Sequence, residues 1–289
     1  MYADRLRENE WAIFLFHGVT EEAHSFGIRN YTRKHIPTSD FAAIMRSLLA
    51  AGGVPAPMDW ASSYHLFTPG VAMPFTITFD DGFANVLNAV PILKELQIPA
   101  TFYIATDWVD RNQMAWIDRI EWAMECSRAS DPNMLTMAAK NLDEIRSSAK
   151  GKRWRDLAKF ATESQKILGV PNKTSGDGPL DQKLTWDQIK ELAADPLFTI
   201  GGHTHTHATL PFLTEEESRR EIGTCLDMLR EKAGVATEHF SYPEGQEWSY
   251  SERTIEQLKD AGIRVCPTAM DGTNPPGTDP FRLKRIMVT

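Results

Sequence analysis

An α/β fold with a mainly parallel sheet is what this sequence predicts. Short apolar runs alternate with amphipathic stretches of helical period, helix start and stop signals fall between them, and 289 residues suffice to wrap a barrel-like fold around one core. Strands are expected at Ala12 to Phe16, Phe75 to Phe79, Ala100 to Ala105, Phe198 to Ile200, His239 to Tyr242 and Arg264 to Pro267. Between them, Thr185 with Gln188, Thr214 with Glu217 and Ser249 with Glu252 have the spacing of capping boxes. Gly52, Gly234 and Gly262 stand where the following turns should begin.

From Trp108 to Leu184 the pattern changes. Trp116 to Ser127, Met134 to Ala149 and Trp154 to Leu168 have helical period with no strand among them, and Gly169 to Lys183 is rich in Gly, Pro, Ser and Asp. The reading is a single domain over residues 1–289 with a helical insertion at about 108–184, closed by a loop.

Composition narrows the function classes. A formal net charge of -8 argues against nucleic acid as the main partner, because displacing counterions needs a basic face. A small basic cluster, Arg29, Arg33, Lys34 and His35, reads as a solvated loop or, less simply, a patch for an anionic substrate. No apolar run has the length of a signal peptide or a membrane span, so a cytoplasmic location is expected. Cys126, Cys225 and Cys266 are odd in number and far apart, which suits reduced thiols.

Two constellations carry chemistry. The first is an apolar strand ending in Asp80-Asp81-Gly82. Adjacent carboxylates repel, and at the carboxyl end of a strand in a parallel fold a bound cation is one way to hold them together; a simple turn capped by Asp81 is the other. The second is His203-Thr-His205-Thr-His207 after another strand. Three imidazoles in five residues do not suit a packed core, where each ring needs a donor and an acceptor. One turn of helix would put His203 and His207 on one face, the spacing of a zinc site, whereas an extended segment would add His205; the helical reading, with His205 structural, is preferred. Two histidines and one carboxylate with an open position describe a catalytic rather than a structural metal site.

With these residues in view, the chain resembles the polysaccharide deacetylase family, the carbohydrate esterase 4 or NodB-homology group. Thr78-Phe79-Asp80-Asp81-Gly82 is similar to its T-F-D-D-G motif and His203 to His207 to its H-[ST]-x-x-H motif. The resemblance runs from Phe14 to Val288, the insertion excepted. It implies a distorted (β/α) barrel of about seven strands, Asp80 as general base, and Asp81, His203 and His207 as ligands of Zn²⁺ or another divalent ion such as Co²⁺, Ni²⁺ or Fe²⁺. Phe240-Ser-Tyr242-Pro243-Glu244-Gly245 is similar to a third motif, making Tyr242, Pro243 and the Glu244 backbone N–H the oxyanion and substrate contacts.

The chain departs from the family pattern twice. The arginine that steadies the base is missing from its usual place, and Arg282 or Arg285 is the candidate replacement. The late Leu-x-His motif is also missing, but Leu15-Phe16-His17 has that form in the first strand, as in members that look circularly permuted; His17 is therefore the expected general acid. The implied reaction is removal of an acetyl or related acyl group from an N-acylated sugar, nucleotide-linked or lipid-linked, in surface polysaccharide synthesis. A deformylase or other amidase, and a sugar-binding protein without turnover, are the competing readings.

Overall fold

The computed structural model describes residues 2–21, 28, 30, 32–62, 72–127 and 154–289, the side chains of 62, 154 and 155 excepted. Its main sheet is parallel throughout. The strands are β1 (Ala12–Phe16), β4 (Gly53–Pro55), β5 (Met73–Phe79), β6 (Ala100–Ile104), β7 (Phe198–Gly202) and β8 (Ile286–Met287), in the order β7-β6-β5-β1-β8 with β4 also paired to β5. A separate parallel pair joins β2 (Gly18–Thr20) to β3 (His35–Pro37). The helices are α1 (Thr38–Ala50), α2 (Val90–Glu95), α3 (Thr106–Asp110), α4 (Trp116–Ser127), α5 (Trp154–Ile167), α6 (Trp186–Ala194), α7 (Glu215–Ala233) and α8 (Glu252–Asp260). Among the described residues no helix is long and apolar enough to cross a membrane.

Alternation along the strands sorts side chains to two faces. Ala12, Phe14 and Phe16 join Phe75, Ile77 and Phe79 in the largest core cluster, beneath Phe41, Met45 and Leu48 of α1. Trp11 and Ile13 point the other way, into a smaller cluster with Met58, Val265 and Leu283. On that face of β5 stand Thr76 and Thr78, both fully buried, and their hydroxyls donate to the carbonyls of Ala56 (2.5 Å) and Phe14 (2.9 Å). Phe79 stacks on Phe102 at 5.0 Å, so the sheet under the Asp80 turn is a continuous aromatic layer. Burying each such ring stabilises the fold by roughly 1.5–3 kcal/mol, and together they fix where the strand must end.

Two of the expected strands are not formed as such. His239–Tyr242 and Arg264–Pro267 contribute isolated bridges only, Gly202 with Phe240 and His239 with Val265. Prolines at 243 and 267 stop either segment from extending, since proline has no N–H for a ladder. Backbone bonds nevertheless run on from β7 through these segments: Ser241 N–H to Gly202 O, Phe240 N–H to Val265 O, Thr268 N–H to Leu283 O and Val288 N–H to Leu15 O. The edge beyond β7 is thereby linked to β8 and β1 by irregular chain.

Thr185 and Thr214 cap α6 and α7 with complete capping boxes, as expected. The third box is displaced. Ser251, not Ser249, caps α8 through Thr254 N–H, while the Ser249 hydroxyl donates to the Gln246 carbonyl. Gly234 ends α7 in the left-handed region (φ 71°).

Of the helices expected between residues 108 and 184, α4 and α5 are formed, and the expected helix Met134 to Ala149 lies outside the described residues. The two formed helices are tied by Arg119, which is buried on α4 and donates to the carbonyls of Ala158 and Lys173 and to Thr162, Gln165 and Asn172. A guanidinium with neutral acceptors on several sides works as a bracket. The cysteines are free, as expected.

Candidate active site

Both motifs lie at carboxyl ends of adjacent parts of the sheet, on the wall of a cavity of about 190 Å³. Asp80 continues the β5 ladder by donating its N–H to the Phe16 carbonyl (3.0 Å), and Asp81 then turns left-handed (φ 74°) with Gly82 (φ 75°). The two carboxylates consequently meet different partners. Both oxygens of Asp80 accept from Arg285, at 2.8 Å each, and Arg285 also donates to the Thr268 carbonyl (2.6 Å). Arg285 is fully buried. Of the two arginines named from the sequence, Arg282 does not reach Asp80: it pairs with Glu252 and Asp279 at the surface. The difference follows from position, since Arg285 adjoins β8 inside the fold and Arg282 precedes it.

Asp81 Oδ1 is buried with no hydrogen-bond partner among the described residues. It faces His207 Nε2 at 3.2 Å and His203 Nε2 at 3.5 Å, and one ligand atom from each of the three residues lies within 4.8 Å of the others. Donors bound at about 2.0–2.1 Å to one tetrahedral ion stand about 3.3 Å apart, so an orphaned oxygen flanked by two imidazole nitrogens at these distances fits a divalent cation. His203 Nδ1 lies 2.9 Å from the Ser241 carbonyl and 2.6 Å from its hydroxyl. A proton on Nδ1, assigned from these partners, leaves the Nε2 lone pair facing Asp81.

The histidine segment is neither a helix nor a strand. Thr204 (φ 59°) and His207 (φ 58°) are left-handed, and this bend brings His207 back beside His203, ring centroids 4.9 Å apart. Glu221 of α7 clamps the turn, accepting from the Thr206 N–H (2.8 Å) and hydroxyl (2.7 Å). His205 points away, to Thr106 Oγ1 (3.0 Å) and toward Asp107, and stays outside the ligand cluster. The preferred separation of His205 from the other two is present, but the helical turn expected to cause it is not.

His17, at the end of β1, lines the same cavity, and its Nδ1 has no hydrogen-bond partner among the described residues. Burial lowers its pKa, with Asp81 and Asp80 pulling partly the other way. For Asp80, burial favours the neutral acid, but Arg285 and then His203 outweigh it and hold the carboxyl below its ordinary value. Asp81 is driven further down, chiefly by His207 against the burial penalty, and His207 is raised in turn by Asp81 despite its own burial.

Of the third motif only Glu244 lines the cavity, left-handed at φ 65°. Tyr242 is buried behind it, its hydroxyl donating to the Phe281 carbonyl and its ring stacked on Tyr250, so it does not contact the cavity; Pro243 is likewise buried. Sequence reasoning passed over the roles of Ser241, Glu221 and Trp108, and favoured a solvated loop for Lys34. Lys34 is not a solvated loop residue, being ion-paired with the buried Asp118 (2.5 Å) and lining the cavity, and His35 is buried against Asn85 and Phe83. Arg29 lies outside the described residues. A smaller pocket shares Trp108, Trp116, His207 and Glu244 with the main cavity and runs to Arg119 and Ala158, so α4 and α5 wall one side.

Residues 72–266 match the Polysaccharide deacetylase family, about two thirds of the chain, and the protein belongs to that family. Among solved structures the fold is shared by the Streptococcus pyogenes deacetylase PplD in complex with acetate, at 15% identity and a TM-score of 0.62, covering 98% of this chain and 93% of that one. IcaB from Ammonifex degensii is similar at 20% identity, with a TM-score of 0.62 and coverage of 99% and 94%. A de-N-acetylase from Aggregatibacter actinomycetemcomitans has 14% identity, a TM-score of 0.62 and coverage of 96% and 95%. No curated protein matches the chain in sequence. His17 and Arg285 lie outside the matched residues, yet the fold brings both to the site.

Proposed function

We propose that the protein is a metal-dependent N-deacetylase of an N-acetylated sugar, with Asp81, His203 and His207 as the metal ligands. The observation that carries this is the buried Asp81 oxygen, without a hydrogen-bond partner among the described residues and flanked by two imidazoles, on a cavity wall that also presents Asp80 and His17. What a divalent ion such as Zn²⁺ supplies when bound there is polarisation of an amide carbonyl and a water acidified toward neutrality. Asp80, kept ionised by Arg285, accepts a proton from the attacking water. The bidentate clamp aims the carboxylate and keeps it charged, at some cost in basicity. In this reading the backbone N–H of Glu244, a residue that lines the cavity, meets the oxyanion. His17, on the cavity wall beside Asp80 and Asp81, gives a proton to the departing amine. Water adds to the carbonyl carbon, the C–N bond breaks, and acetate and a free amino sugar result.

The deacetylases among the structural neighbours support this reading, as does the family's chemistry. The test is acetate release from N-acetylglucosamine oligomers, with metal analysis of the same sample. One divalent ion per chain is expected, with activity abolished by a chelator and restored by Zn²⁺. Metal-free protein whose activity is undiminished in chelator would overturn it.

A further inference from the structure

The stretch read as a helical insertion begins at Trp108, which lines the cavity against His207, and ends beside Lys183, which packs on Trp108. The Trp108 indole lies against the His207 ring, centroids 4.4 Å apart and planes 20° from parallel. The Lys183 Nζ is 5.2 Å from the Trp108 centroid and 3.2 Å from that of Phe83. Lys183 is 2% exposed and its Nζ has no hydrogen-bond partner among the described residues. Its main chain is pinned to the aspartate turn, with the Lys183 N–H donating to Asn112 Oδ1 (2.8 Å), a bridge to Phe83, and the next N–H, that of Leu184, donating to the Gly82 carbonyl (2.9 Å).

The two histidines of the cluster are held in different ways. His203 is oriented through Nδ1 by Ser241. No hydrogen bond to Nδ1 of His207 is present among the described residues, and the residue sits in a left-handed bend outside any helix or strand. A metal-ligating imidazole without such a bond can turn about its Cβ–Cγ axis unless a flat surface opposes it, and groups behind a ligand commonly decide metal affinity. Trp108 is that surface. Lys183, packed between Phe83 and the indole, is attracted in its ammonium form to the two aromatic faces and so steadies the indole.

We propose that Trp108, backed by Lys183, is the positioning residue that fixes the ring plane of His207, so that the two ends of the insertion set how tightly the cluster holds its metal. The inference rests on the reading of Asp81, His203 and His207 as a divalent-metal site. Its test is Zn²⁺ affinity of the full-length chain by competition with a chromophoric chelator, with the visible spectrum of bound Co²⁺ reporting ligand geometry. Trp108→Leu should weaken Zn²⁺ about 10- to 100-fold, the usual effect of removing a group that orients a ligand. Trp108→Phe, which keeps a flat ring, should restore most of that loss, and Lys183→Met should fall between the two. Should Trp108→Leu fail to fold, Lys183→Met carries the test, with an altered Co²⁺ spectrum expected. Unchanged affinity and spectrum in the folded variants would overturn the inference while leaving the metal site intact, as would a Trp108→Phe variant as weak as Trp108→Leu. Failure of the unsubstituted protein to bind Zn²⁺ would overturn the metal-site reading itself.

Discussion

The Asp80–Asp81 turn and the His203–His207 turn both leave the carboxyl end of a parallel strand, but they are held by different means. In the first, the sheet ladder carries through Asp80, and a buried arginine some two hundred residues away in sequence takes both of its oxygens. In the second, the chain leaves the sheet, bends at two left-handed residues, and is clamped by Glu221 from a neighbouring helix, with Ser241 behind one imidazole and Trp108 against the other. A base must stay charged and aimed, which a buried ion pair achieves. A ligand pair must converge on one point, which a bend achieves at lower electrostatic cost.

Removing the lock on the first turn should have the largest effect on stability. Arg285→Met leaves Asp80 buried without its partner, so a loss of about 3–5 kcal/mol is expected in denaturant titrations. A loss under 1 kcal/mol would mean that water or another group already serves Asp80. Loosening the second turn should do less. Glu221→Gln keeps an acceptor for one of the two Thr206 bonds, and about 1–2 kcal/mol is expected by the same titration. Equal losses in the two variants would erase the contrast drawn above.

The ion pair also predicts a pH signature. Because the folded pKa of Asp80 lies below its unfolded value, the stability it contributes is present above roughly pH 4 and is lost as pH falls through the folded pKa. The stability difference between the native protein and Asp80→Asn should therefore shrink on acidification below that range. A difference independent of pH down to pH 2 would show that Asp80 is not stabilised as the anion.

How much of this was legible in the sequence depended on whether a signal was local. Strand Ala12–Phe16 was read with its observed bounds, because apolar residues fill both faces and Trp11 and His17 flank it. The segments at 239–242 and 264–267 were read too regularly: their apolar content is real, but they make only isolated bridges, two and one respectively, beside a proline. The Ser249 cap was misplaced by two residues because Ser251 competes for the same helix start, and spacing alone did not choose between them. The helical turn expected at His203–His207 is absent, since the bend uses left-handed Thr204 and His207 with no glycine to announce it. Residue types in the site were readable from the two motifs. Their partners were less so: Arg285 was one of two candidate arginines, chosen over Arg282 only by its place beside β8, and Ser241, Glu221 and Trp108 arrive from distant segments.

The central claim is that the adjacent aspartates divide the work, Asp80 handling the proton and Asp81 the metal. The most direct measurement is metal content and deacetylation rate, side by side, in Asp80→Asn and Asp81→Asn. The account predicts that Asp80→Asn keeps a full equivalent of metal while turnover falls by roughly 10²–10⁴-fold, and that Asp81→Asn loses the metal itself. Loss of metal from Asp80→Asn with retention in Asp81→Asn would contradict it.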